Sequence, residues 1–532
     1  MKGMTPKQLL EKVDSLKPRR YNFESIWQDV GDYLIPRKND IQVTKYPGEA
    51  RYVQLLDATG MTNSELLAGT LHSFLTNPAG FFFNMSTGDA ELDGNDNVRM
   101  WVQEVVRRMH DTLNNSNFQT ELHEYYIDLI NFGTSTLSIE EDVEQVVRFA
   151  SRPVKEVYIE ENSKGIVDCL YRCYEMDCRS LVDEFGYENL PERVQKKYDA
   201  NKPDRYKVLH AIYPSKKMGK SVKYTHAFTS QHVLVEEKVT LAVKGFREFP
   251  YVVSRWSKAS GEEYGRGPGE KALPNVKMLN KIMETTIKGA QKTVDPPLQA
   301  PDDGFMLPLV TRPGGFNYYR AGSEDRIQPI YNDARVDFGF QMIELVSAKI
   351  REAFYVDQLK LREGPQMTAT EVSERIEQAF RFLGPIFGRQ QAEFLQPTIE
   401  RLYKIMDRRD MFPPAPAELE GIPLKIQYSS VMALSQRQSE VQNIQRTMAA
   451  ITPFASADPG VLDIFNGDKM AKYIAKLYNY PQEGIRTDDE LQQLREQRQQ
   501  AQQQMMENAQ AAQNVDTASK LMNAAGKVAK PA

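Results

Sequence analysis

Histidine, cysteine and tryptophan are scarce in this sequence: six, three and three copies in 532 residues. The six histidines (72, 110, 123, 210, 226 and 232) contain no His-Glu-x-x-His and no i, i+4 pair, so no helical zinc face is expected. Cys169, Cys173 and Cys178 fall inside ten residues, and the nearest histidine is His210. A metal site would lack its fourth ligand, so free thiols on and just after a strand, in a reducing compartment, are expected. There is no Gly-x-Ser-x-Gly. Gly219-Lys220-Ser221 has the ending of a phosphate-binding loop, but Pro214 stands where its first glycine must be. Gly265-x-Gly267-x-Gly269 brings its third glycine one residue early for a dinucleotide fingerprint. Acidic pairs such as Glu140-Glu141 and Glu160-Glu161 read as solvated charge in strand ends or turns. No catalytic residue, metal ligand or cofactor is expected by residue type and spacing.

Long apolar runs are missing as well. The best stretch, Leu66 to Phe83, is broken by His72, Asn77 and Pro78, so no spanning helix is expected. Met1-Lys2-Gly3-Met4-Thr5-Pro6-Lys7 has no apolar core, so no secretory signal is expected. An excess of positive charge is also lacking: 67 basic against 72 acidic residues give a net charge of −5. That argues against a surface that grips nucleic acid everywhere, because such affinity comes from neutralising phosphates. It leaves room for a surface past which DNA slides.

What is there is a globular composition, 41% hydrophobic and 26% charged, long enough for two to four domains. The pattern is α+β, mainly helical. Residues 5–35 read as helix divided by Pro18 and stopped by Pro36. Asp57-Ala58-Thr59-Gly60 leads into a helix over Thr62–Leu75, Phe81–Phe83 reads as a short buried strand, and residues 97–130 hold two helices broken at Asn114–Asn117. From 133 to 260 alternation predicts antiparallel strands at Thr136–Glu140, Val154–Glu160, Tyr206–Tyr213, Lys223–Glu236 and Tyr251–Trp256, with helical insertions near Ser180–Phe185 and Pro191–Tyr198.

The chain is organised around two amphipathic helices enclosing a Pro/Gly-rich insert. The first is predicted from Pro274 to about Val294, with Val276, Leu279, Ile282, Met283, Ile287, Ala290 and Val294 on one face. Lys277, Lys281, Lys288 and Lys292 lie on the other, within about 60° at 100° per residue. The second is predicted from about Asp333 to Tyr355. Phe340, Ile343, Val346, Ile350 and Phe354 form its apolar side, and Asp337, Gln341, Glu344, Arg351 and Glu352 its polar side. Either the pair packs on its own domain, or each hairpin packs against that of another copy in a ring. A loop over Asp357–Gln366 carries Lys360 and Arg362. Thr368-Ala369-Thr370-Glu371 then caps a helix predicted to kink at Gly384-Pro385 and near Pro397. After the linker Met411–Pro416, Leu424–Tyr428 reads as a strand. Two or three helices follow over 436–480, with turns at Thr452-Pro453 and Asp458-Pro459-Gly460. Gln492–Gln513, rich in Gln and Ala, is either a frayed helical tail or a helix that assembles only against copies of itself.

Three stretches resemble the podovirus head-to-tail connector family, the portal proteins of tailed bacteriophages. They are Leu67-Ala68-Gly69-Thr70-Leu71 through Thr76-Asn77-Pro78-Ala79; Glu263-Tyr264-Gly265-Arg266-Gly267-Pro268-Gly269; and Met367-Thr368-Ala369-Thr370-Glu371-Val372 with Leu383-Gly384-Pro385. Their order and spacing match over roughly residues 5–480. The resemblance implies a portal fold in a dodecameric ring. Residues 1–260 would be its wing, 261–294 and 333–356 its stem helices, and 295–332 its clip. Residues 357–366 would be its tunnel loop, 367–432 the kinked helix and the return to the wing, 433–480 its crown, and 481–532 a C-terminal helical barrel. It further implies a structural, non-enzymatic channel at one vertex of the virion capsid, assembled in the host cytoplasm, for packaging, retention and ejection of double-stranded DNA. The implied partners are the terminase motor, the major capsid and scaffolding proteins, and tail adaptor proteins. An enzyme, a monomeric scaffold and a membrane pore are the competing classes. Within the family reading, Asp337, Glu344 and Glu352 are expected to face the channel. The lysines of the first helix would then point outward or toward a neighbouring subunit, with Lys360 and Arg362 as the DNA-touching cations; the alternatives are the reverse, with Lys277, Lys281, Lys288 and Lys292 lining the channel, and a solvent-exposed connector over Asp357–Gln366.

Overall fold

The computed structural model describes residues 3–506 except 45–47, 52–54, 79, 90–91, 219–225, 300–309, 311–315, 317–327, 330–335, 360–382, 420, 423, 429–430, 458–459, 461–463, 478–479, 481–483 and 487–489. It is a mainly helical α+β protein. In chain order it runs α1 (Pro6–Tyr33), α2 (Thr59–Leu75), β1 (Phe83–Ser86), α3 (Asp96–Asn115) and α4 (Phe118–Phe132). Next come β2 (Thr134–Asp142), β3 (Val146–Arg152), β4 (Val157–Glu161), β5 (Val167–Asp177), α5 (Cys178–Phe185), α6 (Glu192–Asp199), β6 (Arg205–Pro214), β7 (Phe228–Leu234), β8 (Val239–Phe246) and β9 (Tyr251–Arg255). The helix pair follows: α7 (Pro268–Val294), β10 (Leu298–Gln299), β11 (Gln328–Pro329) and α8 (Val336–Ala353). The remainder is α9 (Val356–Leu359), α10 (383–390), a π-turn (Gln391–Leu395), α11 (Gln396–Arg408), β12 (Lys425–Tyr428), α12 (Val431–Ala457), α13 (Gly467–Leu477) and α14 (490–506). The chain divides into two compact units, one of residues 1–85, 104–414 and 425–432, the other of 86–103, 415–424 and 433–532.

In the first unit a five-stranded antiparallel sheet, ordered β4-β5-β6-β7-β8, is covered on both faces. Leu9, Val13 and Leu16 of α1 pack on Tyr158, Tyr171, Leu209, Ala211 and Val233. Leu181 and Phe185 of α5 and Val194 of α6 pack on Tyr206, Val208 and Leu234. Val208 and Leu209 go to opposite layers because strand side chains alternate. A three-stranded sheet, ordered β3-β2-β9, follows α4 directly. Cys169, Cys173 and Cys178 are free thiols, the first two within β5 and the third at the start of α5. In the second unit, Arg495 of α14 pairs with Asp468 of α13 at 2.6 Å, and the Tyr473 hydroxyl donates to Glu440 of α12 at 3.1 Å.

Several boundaries differ from the expectation, and prolines account for most. Pro18 does not divide α1, α7 begins at Pro268 and runs through Pro274, and α12 runs through Pro453 without a turn. The three prolines inside helices, Pro18, Pro274 and Pro453, are exposed, whereas Pro268 at the start of α7 is buried. Each of the three lies on a solvent-facing side of its helix, where the loss of one backbone hydrogen bond is least costly; in α1 the opposite face buries Leu9, Val13, Leu16, Phe23, Trp27 and Val30. Phe81 is exposed, and the strand begins at Phe83. Strands β3 and β8 were not expected; both are edges of their sheets and bury few side chains. Near Pro397 the helix widens into the π-turn. Most of the insert, Lys360, Arg362, the Thr368–Glu371 cap, Gly219–Ser221 and residues 507–532 lie outside the described residues.

Candidate functional site: the helix pair and its root

The root of α7 is the segment Glu263–Gly269, and its glycines serve close packing. A Cβ on Gly265 would stand 2.3 Å from the Gly133 carbonyl oxygen, and one on Gly267 2.2 Å from that of Ile130. A Cβ on Gly269 would stand 2.8 Å from the Asn131 Cα. The three glycines therefore lie flat against the last turn of α4, where Gly133 closes the helix in the left-handed region (φ 72°). Tyr264 is buried beside them. Its ring lies 5.3 Å from Trp27 and 5.6 Å from Phe23, and its oxygen accepts from the Ile159 amide at 3.3 Å. Arg266 pairs with Glu262 at 2.6 Å and also with Glu270, spanning the start of the helix.

Further along, the Asn280 Oδ1 accepts from the Leu56 amide at 2.8 Å and the Asp57 amide at 3.3 Å, so α7 holds the entry to α2. Beyond Asn280 the helix leaves the core. The descending helix α8 mirrors it: Val346, Ile350, Ala353 and Phe354 are buried, and the residues before them are not. The two pack on each other closely enough that a Cβ on Gly339 would stand 2.4 Å from the Thr286 Oγ1. At the far end β10 and β11 pair antiparallel, Leu298 with Pro329 and Gln299 with Gln328.

The projecting halves expose apolar side chains that a core would bury: Ile287 (41%), Val294 (86%), Phe338 (58%), Phe340 (62%) and Leu345 (53%). Asp337, Glu344 and Glu352 are exposed and lie within about 80° of one another at 100° per residue. They stand opposite the buried Val346, Ile350 and Ala353. Phe338 and Leu345 flank this acidic ridge on one side and Phe340 on the other.

The lysines of α7 are less free than their spacing suggested. The Lys277 Nζ lies 2.8 Å from Asp29 and 5.4 Å from the Tyr33 ring centroid, both on α1. Lys281 and Lys288 share Glu284, at 2.8 Å for the first. Hydrogen bonds from Lys281 and then Lys288 pull the Glu284 carboxyl down to about 2. Lys292 has no ion pair among the described residues. Glu284, three residues after one lysine and four before another, was legible in the sequence; Asp29, about 250 residues away, was not. Sequence reasoning also missed the pair behind the root, buried Arg255 and half-buried Glu393, joined at 2.8 Å.

Among the described residues no group of three or more His, Cys, Asp and Glu is placed to hold a metal ion, and no helix is long and apolar enough to cross a membrane.

A family model described as bacteriophage head to tail connecting protein matches residues 6–486. The chain is 31% identical over 526 residues to a probable portal protein of Bordetella phage BPP-1, which covers 97% of this chain and 95% of that protein. It is 28% identical over 519 residues to a portal protein of Salmonella phage epsilon15, covering 95% of this chain and 92% of that protein.

Proposed function

The chain belongs to the family of bacteriophage head-to-tail connecting proteins and acts as a phage portal in DNA packaging; from that premise we propose that twelve copies close a ring whose channel wall is built by the α7–α8 pairs. The observation that carries this reading is the exposed apolar surface of the projecting halves. A lone hairpin leaves Val294, Phe338, Phe340 and Leu345 in water, whereas a neighbour on each side covers both flanks of α8. The wing is then residues 1–260 with the return over 367–432, the stem 261–294 and 333–356, the clip 295–332, the crown 433–480 and the barrel 481–532.

The acidic ridge of Asp337, Glu344 and Glu352 faces the channel in this arrangement. A conduit must not hold what it conveys, and each lysine–phosphate contact adds affinity and salt dependence. The charge pairing of α7 supports the assignment, since Lys277 is committed to Asp29, and Lys281 and Lys288 to Glu284. Lys360 and Arg362 are then the cations that touch DNA, and their double alanine variant is expected to lower packaging or retention of the genome. A variant that packages and retains at the normal level removes that role. The ring works at the capsid vertex of the virion, after assembly in the host cytoplasm. It docks the terminase motor, contacts capsid and scaffolding proteins, receives tail adaptor proteins, and passes the genome out at ejection.

Sedimentation and negative-stain imaging of the purified chain test the ring. The expected particle is an annulus of twelve times the chain mass. A well-behaved species that stays near 60.9 kDa under every condition would overturn the reading.

A further inference from the structure

The long helix behind the root is α-helical over 383–390, widens to a π-turn at Gln391–Leu395, and resumes as α11. The wide turn is seen directly in the Gln396 amide, which donates to the Gln391 carbonyl five residues back. Pro397 gives one cause. It has no N–H, so the Glu393 carbonyl cannot find its α-helical partner. The second cause is a side chain. The Glu393 carboxylate accepts from the Arg255 backbone amide at 2.9 Å, from its Nε at 3.1 Å and its Nη2 at 2.8 Å, and from the Arg389 Nη1 at 3.2 Å. Arg255 is buried and is fixed from behind by Glu161 and by the Glu263 carbonyl.

The strand that receives these contacts is a free edge. In the order β3-β2-β9, the outer side of β9 has no further strand among the described residues. At Arg255 that edge is closed by side chains alone: Glu393 takes the amide hydrogen, and the Gln390 Nε2 donates to the carbonyl at 2.9 Å. Gln390 is fully buried, and its Oε1 has no partner among the described residues. A buried acceptor left unpaired is costly, so the present register is held against a local penalty.

A single π-turn is one residue more than an α-helix needs. It can therefore move along the helix, and each residue it passes turns by about 100° and shifts by about 1.5 Å. We propose that the π-turn at 391–395 is a two-register hinge, and that the Arg255–Glu393 ion pair is the latch that holds it in the wide register. When the latch opens, α10 rotates over α11, Gln390 leaves the β9 edge, and the rest of the unit keeps its packing. The device is independent of ring closure, since every group in it belongs to one chain.

Two variants separate the latch from the proline. Pro397→Ala restores the missing N–H, and with the ion pair intact the π-turn is expected to persist. Pro397→Ala combined with Glu393→Gln is expected to give continuous α-helix through 391–397, with Gln390 turned off the Arg255 carbonyl, as read from structures of both proteins. Glu393→Gln alone, with the proline still in place, is expected to raise hydrogen exchange of the 385–396 amides at least tenfold while β4–β8 exchange as before. The latch is refuted if Pro397→Ala alone abolishes the π-turn, if the double variant keeps it, or if Glu393→Gln loosens β4–β8 as much as 385–396.

Discussion

Replacing Gly267 by alanine tests the root of the helix pair most directly. The residue has φ −102° and ψ 169°, which any amino acid adopts, so the backbone itself resists nothing. The added Cβ meets the Ile130 carbonyl oxygen at 2.2 Å, its carbon at 2.9 Å and the Gly133 nitrogen at 3.0 Å. These are backbone atoms at the end of α4 and cannot swing aside as a side chain would. Relief requires α7 to lift off α4, which strains the buried, mutually tilted ring cluster of Tyr264, Trp27 and Phe23. The expected cost is about 3 kcal/mol, the upper part of the range for overpacking. With a urea m-value of about 3 kcal/mol/M, the midpoint falls by about 1 M. Trp27 and Trp256 are both buried near this contact, so intrinsic fluorescence follows the relevant unfolding. Gly69→Ala is the control. Gly69 lies in α2, exposed, with nothing within 4 Å of the added methyl, so helix propensity gives a gain of up to ~1 kcal/mol. Equal midpoints for Gly267→Ala and the parent protein would refute the close-packing account, and so would a Gly69→Ala protein that loses more than Gly267→Ala.

Two further perturbations probe other parts of the molecule. His210 and His232 pair across β6 and β7 with rings 3.9 Å apart and 12° from parallel, and burial drives both pKa values down, that of His232 to about 4. Arg172, Arg152 and Lys244 add repulsion, so the folded state keeps both rings neutral while the unfolded chain binds protons below about 6.5. The stability is complete above pH 6.5 and is lost as pH falls toward 4, about 3 kcal/mol for His232 alone. His232→Phe keeps a ring on His210 and should shrink the difference in urea midpoint between pH 7.5 and 4.5 by about 1 M; an unchanged difference would place the acid sensitivity elsewhere. Reversing Asp337, Glu344 and Glu352 to lysine is expected to make the purified protein bind duplex DNA with a steep salt dependence between 50 and 200 mM, of the order that phosphate neutralisation gives. Fluorescence anisotropy reads it, and no gain in affinity would remove the ridge from the channel wall.

Much of the architecture was legible because it rests on short-range periodicity. The amphipathic patterns of α7 and α8, the break between α3 and α4, and the start of α2, where the Asp57 carboxylate accepts from the Thr59 amide at 2.8 Å, depend only on neighbours a few residues away. The edge strands β3 and β8 were illegible because one side of each lacks a partner strand among the described residues and its alternation is faint. Lys360 and Arg362 rest on the family resemblance, since they lie outside the described residues.

By itself the sequence determined two half-apolar helices around a proline-rich insert, a near-balanced charge and the spacing of lysines and acids, because these are properties of residues three and four apart. Tertiary structure alone decided what those residues meet. It set Gly265, Gly267 and Gly269 on the end of α4 more than 130 residues earlier, turned Lys277 onto Asp29, and carried α1 straight through Pro18. It also placed Glu393 on Arg255. The physical reason is that a helix or strand states only which face it must bury. Which distant backbone comes close enough to demand a glycine, or which buried charge needs a partner, is settled when the faces are brought together.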